Sequence, residues 1–310
     1  MNGILLIRKD TGVTSTSCVN HVRKCLKNKF KVGHAGTLDS TASGLLVILI
    51  GKATRLSSYI MELPKWYRTT VKLGAFTETD DYSGEVIASY ENADVSDALI
   101  DTVLFSFQGT RKQVPPRISA VRINGKRAHM LTRRGENFSL RSKPIYVEYI
   151  RRTSPLNKTM EFQMEIKCHK GTYIRSIVRD LGMLLGSGAF VRSLERTSIG
   201  LWSLDHPFIL RLSSCMGNEE IEDHLLSLEE MQQYYNTYSL SCEQEHNARN
   251  GSSLILSELS PLARGLFPSA RKILLRGNNL LSFARITEDE NLSSFAVNPE
   301  TNICLSEDFK

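Results

Sequence analysis

Apolar and polar positions along the first two thirds of the chain predict short strands and two amphipathic helices. Strands are predicted at residues 4–7, 44–50, 67–73 and 162–168. The second of these is apolar after its opening glycine, as in a buried strand, whereas the last two alternate with a period of two and have one buried face. Helical spacing of apolar side chains predicts one helix capped by Thr14, Ser15 or Thr16, and another that begins at Ile174 and ends near Gly186.

The last third of the chain has a different pattern. Residues 212–246 carry eight acidic side chains and no Lys or Arg, which predicts an acidic helical linker over 211–246. Short apolar segments separated by turn residues then follow, as in a small β-barrel, at 272–275, 281–286, 294–297 and 303–305. The pattern therefore predicts a mixed α/β domain over residues 1–210 and a small β-rich domain over residues 247–310.

Length and composition agree with a soluble, reduced, two-domain protein. The chain has 310 residues, or about two domains at roughly 150 residues each. Its longest apolar run, 45–50, is too short to span a membrane, and the basic residues follow the apolar start instead of preceding it as in a signal peptide. The six cysteines lack zinc-ligand spacing, so we expect reduced thiols, no bound metal and a cytoplasmic location.

Charge is concentrated in one place, residues 111–143, which we name the basic segment. It holds ten Lys and Arg residues and one acid, Glu136, although the whole chain has a net charge of only +6. Such density favours a polyanionic partner, but composition alone fits a solvated, self-repelling loop equally well. Prolines and glycines within the segment indicate structured turns, and they favour nucleic acid as the partner.

One carboxylate stands out as a candidate for chemistry. Asp39 ends the run His34-Ala35-Gly36-Thr37-Leu38-Asp39, which lies between a basic stretch and the buried strand at 44–50. Glycines at 33 and 36 permit tight turns, and Thr37 can bond the local backbone. Asp39 is thus either a catalytic carboxylate on a rigid loop or a turn residue that bonds its own backbone; the loop residues by themselves favour the second.

Several segments in order along residues 3–200 resemble the tRNA pseudouridine synthases of the TruB type. They are Lys9…Gly12-Val13-Thr14-Ser15, His34…Gly36-Thr37-Leu38-Asp39, Tyr67-Arg68 with Leu73-Gly74 and Thr79-Asp80, Pro115-Pro116…Ser119-Ala120…Gly125-Lys126, and Lys170-Gly171-Thr172-Tyr173-Ile174-Arg175-Ser176. The chain departs from this family where Asp10 and Ser40 replace prolines and His129 replaces a tyrosine. The C-terminal part resembles the family's PUA-like RNA-binding domain.

The resemblance implies a fold and a reaction. The expected catalytic domain is built on a mixed, largely antiparallel sheet and is followed by a small PUA-like β-barrel. The expected reaction isomerises uridine 55 in the T-loop of tRNA to pseudouridine, without a cofactor: the N1–C1′ bond breaks, the base turns, and C5 bonds to C1′. Cleavage at an anomeric carbon calls for a carboxylate at the sugar. Attack at C1′, removal of a C2′ proton and addition to the base remain open as the first step.

The resemblance also assigns roles to individual residues. Asp39 is the expected nucleophile, Arg175 holds it by a bidentate contact, and Tyr67 stacks on the uracil and assists removal of the C5 proton. Sequence context alone favours an exposed first-turn arginine for Arg175, and it leaves a half-buried strand aromatic as an alternative for Tyr67, which continues the apolar face. Expected contacts with the RNA substrate come from His34, Arg55, Leu194, Lys9, Arg133 and Arg134. Leu194 would line the base pocket, and plain core packing explains it nearly as well.

Two other functions fit parts of this pattern. A guide-directed relative that modifies ribosomal RNA shares the Gly-Thr-Leu-Asp loop, but usually works with partner proteins and carries Lys-rich tails. This chain instead ends Glu307-Asp308-Phe309-Lys310. A non-catalytic tRNA-binding or tRNA-folding protein could use the same basic surface, but it has no need of Asp39, Tyr67 and Arg175 together. We therefore expect a monomeric enzyme that acts on the T-arm of tRNA, with no membrane contact and no obligatory protein partner.

Overall fold

A computed structural model describes residues 1–90, 94–119, 121–123, 125–212, 217–250, 252–267, 272–278, 280–286, 294–297 and 303–304. The helices are α1 (Ser15–Cys25), α2 (Ser57–Ile60), α3 (Asp97–Phe105), α4 (Ala128–Arg133), α5 (Ile174–Leu184), α6 (Asn218–Asp223) and α7 (Cys242–Arg249), and 3₁₀ turns span Gly51–Leu56, Leu228–Gln233 and Leu256–Glu258. The strands are β1 (Gly3–Lys9), β2 (Val32–His34), β3 (Ser43–Ile50), β4 (Lys65–Leu73), β5 (Ala75–Thr77), β6 (Val86–Ser89), β7 (Gly109–Gln113), β8 (Arg122–Ile123), β9 (Lys126–Arg127), β10 (Lys143–Arg152), β11 (Glu161–Cys168), β12 (Ala189–Ile199), β13 (Trp202–Ser203), β14 (Leu210–Arg211), β15 (Leu225–Leu226), β16 (Thr237–Ser239), β17 (Ser253–Ile255), β18 (Ser260–Ala263), β19 (Lys272–Arg276), β20 (Leu280–Ile286), β21 (Ser294–Val297) and β22 (Ile303–Cys304).

A large mixed sheet is built from strands between residues 3 and 226. Its described strands run in the order β14-β1-β3-β12-β4-β11-β10-β7. Strand β12 pairs in parallel with β3 but antiparallel with β4, and the β4, β11, β10 and β7 pairings are all antiparallel. The predicted mixed, largely antiparallel sheet is therefore confirmed. Helix α5 packs on this sheet with Ile174, Ile177, Val178 and Leu181 buried, which also confirms the predicted helix face.

The strands predicted from apolar periodicity are present, but three longer strands of the sheet, β7, β10 and β12, escaped that analysis, as did the short strands β2, β13, β14 and β15. The apolar alternation of β12 is broken at two positions, because the register with β4 shifts between Val191 and Ser193 and again between Arg196 and Ser198. Each β-bulge moves the following side chains to the opposite face, so a strict period of two is lost. In β7 the cause is different: Arg111 and Lys112 are charged, so the strand shows no apolar alternation.

The acidic stretch over 211–246 differs from the predicted helical linker. It contains the short helix α6 and the start of α7, but also strand β15, which pairs with β1, and strand β16, which belongs to the second sheet. Met231, Tyr234 and Tyr235 from this stretch are buried in the same core as Ile4 and Leu6 of β1. The acidic residues are frequent enough to suggest a solvated connection, yet the apolar residues between them anchor the stretch on the sheet.

A second sheet follows in the order β17-β21-β20-β19-β16-β18, with β22 paired to β20. Leu274, Leu281 and Phe283 of this sheet share one core with Ile4 and Val47 of the first. The described pairings form an open path, and the PUA-like barrel stays a prediction; residue 305, in the last predicted strand, lies outside the described residues. Among the described residues, no helix has the length and apolar character needed to cross a membrane.

Candidate active site

A cavity of about 410 Å³ opens between the residue 36–39 loop, strands β4 and β12, and the start of α5. Four of the residues predicted to act on the substrate line it together: Asp39, Tyr67, Arg175 and Leu194. They come from positions far apart in the sequence, so the fold is what assembles them. Further lining residues include Lys65, Val121, Lys143, Thr172, Tyr173 and Arg196.

Asp39 and Arg175 form the ionic centre of this cavity. Arg175 Nη2 lies 2.8 Å from Asp39 Oδ2, and the arginine side chain is 5% exposed while that of Asp39 is 37% exposed. Two hydrogen bonds of the guanidinium go to backbone oxygens, since Nη1 donates to Thr79 O at 2.9 Å and Nη2 also donates to Ile118 O at 3.0 Å. The structure therefore shows a one-point contact in place of the predicted bidentate one: one nitrogen of Arg175 reaches one oxygen of Asp39, and both terminal nitrogens are bonded to the backbone.

A second buried carboxylate, Asp81, lies behind this pair. Its Oδ2 is 3.9 Å from Arg175 Nε and accepts a hydrogen bond from Thr41 Oγ1 at 3.0 Å. Burial alone would raise the pKa of Asp81, but hydrogen bonds from Ser83 and Thr79 hold that pKa below its ordinary value. The buried arginine therefore lies between an ionised interior carboxylate and the partly exposed Asp39, which balances its charge inside the protein.

The loop that carries Asp39, residues 36–42, is named here the carboxylate loop. Its first residue, Gly36, has φ of +103°, a conformation that side-chain-bearing residues rarely adopt. The Ser15 hydroxyl at the start of α1 donates to Leu38 O and accepts from Leu38 N, both at 2.9 Å. Arg196, 1% exposed in β12, donates to Leu45 O at 2.8 Å and more weakly to Thr37 O and Gly36 O. The loop is thus fixed by partners on two other elements.

Lys9 lies beneath this loop and not on the RNA side, contrary to the predicted substrate contact. Its side chain is 1% exposed, and Nζ donates to Ala42 O at 2.5 Å, Val13 O at 2.8 Å and Asp10 O at 3.0 Å. Burial lowers the pKa of Lys9 from its ordinary value. A buried ammonium surrounded by carbonyl groups serves to hold the end of β1 against the carboxylate loop, because no surface remains for a phosphate.

Tyr67 and Leu194 form the apolar part of the cavity. Tyr67 on β4 is directly opposite Arg196 on β12, and Leu194 on β12 is opposite Thr69. Burial raises the pKa of Tyr67, so its phenol stays protonated near neutral pH. A neutral aromatic ring beside a leucine, with a carboxylate at the rim, is a suitable surface for a planar and partly polar ring such as a nucleobase.

The other predicted RNA contacts are not in the cavity lining. His34 ends strand β2 two residues before Gly36, and burial lowers the pKa of its imidazole. Arg55 is exposed in the 3₁₀ turn after β3. Arg133 and Arg134 are exposed at the end of α4, where Arg134 lies 3.8 Å from Glu136. The RNA contacts of these four residues stay predictions.

Sequence reasoning missed Arg196 and Asp81 as parts of this site. Asp81 directly follows the Thr79-Asp80 pair that carried the resemblance, so its position was close to a recognised signal. Arg196 had no signal, because the bulged strand that places it was not predicted. No group of three or more His, Cys, Asp or Glu side chains that could hold a metal ion is found among the residues that the structure describes.

Comparisons with known proteins place the chain in a family. Residues 23–174 match the model of the TruB family pseudouridylate synthase, N-terminal domain. The chain is 36% identical to tRNA pseudouridine synthase B of Bacillus pumilus strain SAFR-032, over 82% of this chain and 84% of the relative. It is 41% identical to tRNA pseudouridine synthase B of Cereibacter sphaeroides strain ATCC 17023, over 74% and 75% of the two chains.

Solved structures with the same fold cover nearly the whole chain. A chain of the crystal structure of a Cbf5-Nop10-Gar1 complex matches with a TM-score of 0.72 at 23% identity, covering 98% of this chain and 86% of the other. At that identity the likeness concerns the fold. The relatives matched by sequence have higher identity and establish the family: this chain belongs to the TruB family of pseudouridylate synthases.

Proposed function

We propose that this chain isomerises uridine to pseudouridine at position 55 in the T-loop of tRNA. The observation that carries the proposal is the ion pair between Asp39 and Arg175 inside a cavity that also presents Tyr67 and Leu194. The relatives at 36% and 41% identity are named for a reaction on tRNA, which supports tRNA as the substrate class.

Asp39 acts at the sugar in this proposal. One carboxylate oxygen of Asp39 is engaged by Arg175, and the 37% exposure of the side chain leaves the group accessible from the cavity. The free oxygen bonds to C1′ of the target ribose as the N1–C1′ bond breaks, and that electron pair goes to the uracil. After the base turns, C5 bonds to C1′ and releases the carboxylate; C5 then loses its proton while N1 gains one. Substrate and product are isomers, so no water or redox partner is consumed.

Arg175 aims the carboxylate. A guanidinium is permanently charged and presents its N–H donors in a fixed plane, so it holds a neighbouring carboxylate in one orientation. Since Thr79 O and Ile118 O hold its other N–H groups, Arg175 cannot rotate freely when a charged substrate enters. The orientation of Asp39 is therefore fixed before RNA arrives, and this lowers the cost of reaching the reactive geometry.

The target base enters the cavity by leaving its stack. Tyr67 then lies against the uracil ring, Leu194 covers its other side, and His34 fills the space that the base vacates. Because the Tyr67 phenol stays protonated near neutral pH, it assists loss of the C5 proton as a hydrogen-bonding relay to solvent and not as a phenolate base. Outside the cavity, Arg55, Arg133 and Arg134 contact phosphates of the T-arm. The second sheet, as a PUA-like module, adds RNA-binding surface.

The reaction needs no obligatory protein partner in this proposal, and it takes place in the cytoplasm. Buried free thiols such as Cys18 and Cys168 suit a reducing compartment. This chain is 23% identical to the Cbf5 chain, which represents the guide-directed alternative, and 41% identical to one of the tRNA enzymes. That difference favours a tRNA substrate over a guide-directed ribosomal RNA substrate.

The test uses purified protein and an unmodified tRNA transcript, with pseudouridine mapped by chemical sequencing. We expect a signal at position 55 without guide RNA or added protein, and none in a transcript that carries cytidine at that position. A signal elsewhere in the tRNA would reassign the position. Binding without any pseudouridine would favour the non-catalytic RNA-binding alternative, and a requirement for guide RNA would favour the ribosomal one.

A further inference from the structure

A short segment at the root of the basic segment lies across the start of α5. This strap, residues 113–119, begins with Gln113 at the end of β7. Gln113 pairs in register with Lys143, the first residue of β10, so the two ends of the basic segment meet at this position. Lys143 also lines the cavity that contains Asp39. A movement of the basic segment is therefore transmitted first to the strap and to the pairing of Gln113 with Lys143 at the start of β10.

The Gln113 side chain holds the backbone immediately before Arg175. It is 3% exposed, its Oε1 accepts from Tyr173 N at 2.9 Å, and its Nε2 donates to Tyr173 O at 3.1 Å. Tyr173 is the N-cap residue of α5 and its own side chain does not cap the helix. An amide can accept and donate at once, and Gln113 Oε1 makes from another element the contact with the N-cap N–H that an N3 side chain makes in a capping box.

The rest of the strap is fastened to the same helix. Val114 O accepts from Ser176 Oγ at 2.8 Å and from Arg179 Nη2 at 3.0 Å. Ile118 O accepts from Arg175 Nη2 at 3.0 Å, and this is the same nitrogen that contacts Asp39. A displacement of the strap therefore changes an acceptor of the nitrogen that orients the nucleophile.

We propose that Gln113 is a positioning residue that couples engagement of RNA by the basic segment to the aim of the Arg175–Asp39 pair. The inference rests on the proposed function for its substrate. Phosphates that neutralise the basic segment draw it toward the RNA, and Gln113 holds the strap on α5 so that this movement is transmitted to Ile118 O and Arg175. Gln113 itself touches neither the substrate nor the reacting atoms.

The test compares Gln113→Leu with Gln108→Leu, a matched control on the preceding loop whose Nε2 donates to Ile150 O at 3.3 Å, away from the cavity. We expect Gln113→Leu to lower the single-turnover rate by about a hundredfold, the scale of a 1 Å misplacement, while tRNA affinity stays within about threefold. Gln108→Leu should leave both unchanged. Equal losses in the two variants, or a parallel loss of rate and affinity in Gln113→Leu, would overturn the proposal.

Gln113→Glu adds a pH signature that simple loss of packing does not give. A neutral carboxylic acid can both accept from Tyr173 N and donate to Tyr173 O, whereas the carboxylate can only accept. Burial raises a carboxyl pKa, so the rate of Gln113→Glu relative to wild type should rise as the pH falls from about 8 to about 5.5. A ratio that is independent of pH would contradict the role assigned to the two hydrogen bonds.

A readout without turnover separates this proposal from the proposed function. Hydrogen exchange is measured with and without an unmodified tRNA transcript. In wild type, tRNA should protect both the basic segment and the carboxylate loop; in Gln113→Leu, protection of the loop should be lost while that of the basic segment remains. If wild type shows this coupling but forms no pseudouridine, the proposed role of Gln113 and the strap is supported and the proposed function fails. Equal protection of the carboxylate loop in both proteins, or no protection of it in wild type, would contradict the proposed role of Gln113.

Discussion

The carboxylate loop and the basic segment differ in how their basic side chains are held: those at the loop are buried and bonded, and those of the segment are mostly exposed. In the loop, buried basic side chains are bonded to the backbone: Arg196 contacts Gly36 and Thr37, and Lys9 contacts Ala42. In the basic segment, most of the charged groups that the structure describes are exposed, and the ion pairs described there are long, such as Lys126 to Glu136 at 3.9 Å. Chemistry at one bond requires a fixed group, whereas binding of a polyanion requires cations that phosphates can reach.

This contrast predicts that substitutions in the two regions have separable effects on rate and affinity. A change in or under the carboxylate loop should lower the rate or the stability, with little change in the salt dependence of RNA binding. A change in the exposed part of the basic segment should alter affinity and its salt dependence, with little change in the rate of bound substrate.

The largest effect is expected at Asp39. Asp39→Asn keeps the size of the side chain but removes the nucleophilic charge, so we expect turnover below about one ten-thousandth of wild type, as when a catalytic group is removed. Transfer RNA affinity should stay nearly unchanged, because it comes from many phosphate contacts. Single-turnover assays and filter binding measure the two. Residual activity within about a hundredfold of wild type, after deamidation is excluded, would remove Asp39 from the role of nucleophile.

Arg175→Lys should have the next largest effect. The structure gives Arg175 contacts with Asp39, Thr79 O and Ile118 O, and the compact ammonium of lysine cannot reproduce that spread of donors. We expect a loss of about a hundredfold in single-turnover rate with little loss of affinity. Arg175→Met is the matched variant. Nearly full rate with lysine but none with methionine would show that charge alone matters, and loss of RNA binding in both would make Arg175 a phosphate contact.

The sequence predicted this site unevenly, and the reasons are physical. The resemblance brought Asp39, Tyr67, Arg175 and Leu194 forward, and all four line one cavity. It also suggested a two-point contact for Arg175, which the fold replaces by backbone acceptors at Thr79 and Ile118. Sequence motifs record which side chains are needed, but a backbone carbonyl is available at every position, so its use by a side chain leaves no trace in residue types.

Lys9 illustrates the same difficulty for burial. A lysine at the end of a strand is usually exposed, and its neighbours in sequence are Arg8 and Asp10, which suggest a surface. It becomes buried because Ala42, 33 residues later, supplies a carbonyl acceptor. The strands with strict alternation, β4 and β11, were predictable from local pattern, whereas bulged β12 and its Arg196 depended on contacts made only in the fold.

Lys9→Met tests how much the buried lysine under the carboxylate loop contributes to stability. Methionine fills the space but leaves the carbonyls of Asp10, Val13 and Ala42 without their donor. The Ala42 carbonyl is the buried acceptor of the three, and a buried acceptor without a partner costs about 1–3 kcal/mol, so we expect a loss of about 2 kcal/mol in the free energy of unfolding. Urea denaturation measures this loss. An unchanged stability together with a flatter salt dependence of tRNA binding would instead restore Lys9 as a phosphate contact.

The smallest effect on the chemical step is expected at the exposed end of the basic segment. Arg133→Gln with Arg134→Gln removes two exposed charges at the end of α4 without touching the cavity lining. Removal of one arginine–phosphate interaction should lower the slope of log affinity against log salt by about one unit. The rate at saturating tRNA should stay near that of wild type, because the other Lys and Arg residues of the basic segment still engage the RNA and Gln113 still holds the strap on α5. Arg151→Gln is a matched control, since that arginine is exposed on β10 outside the basic segment and, like Arg134, lies near a carboxylate, at 3.6 Å from Glu165. If the double variant and the control have the same affinity and the same slope as wild type, the basic segment is a solvated loop. A loss of rate at saturating tRNA without a change in slope would show that the two regions are not separable in the way their structures indicate.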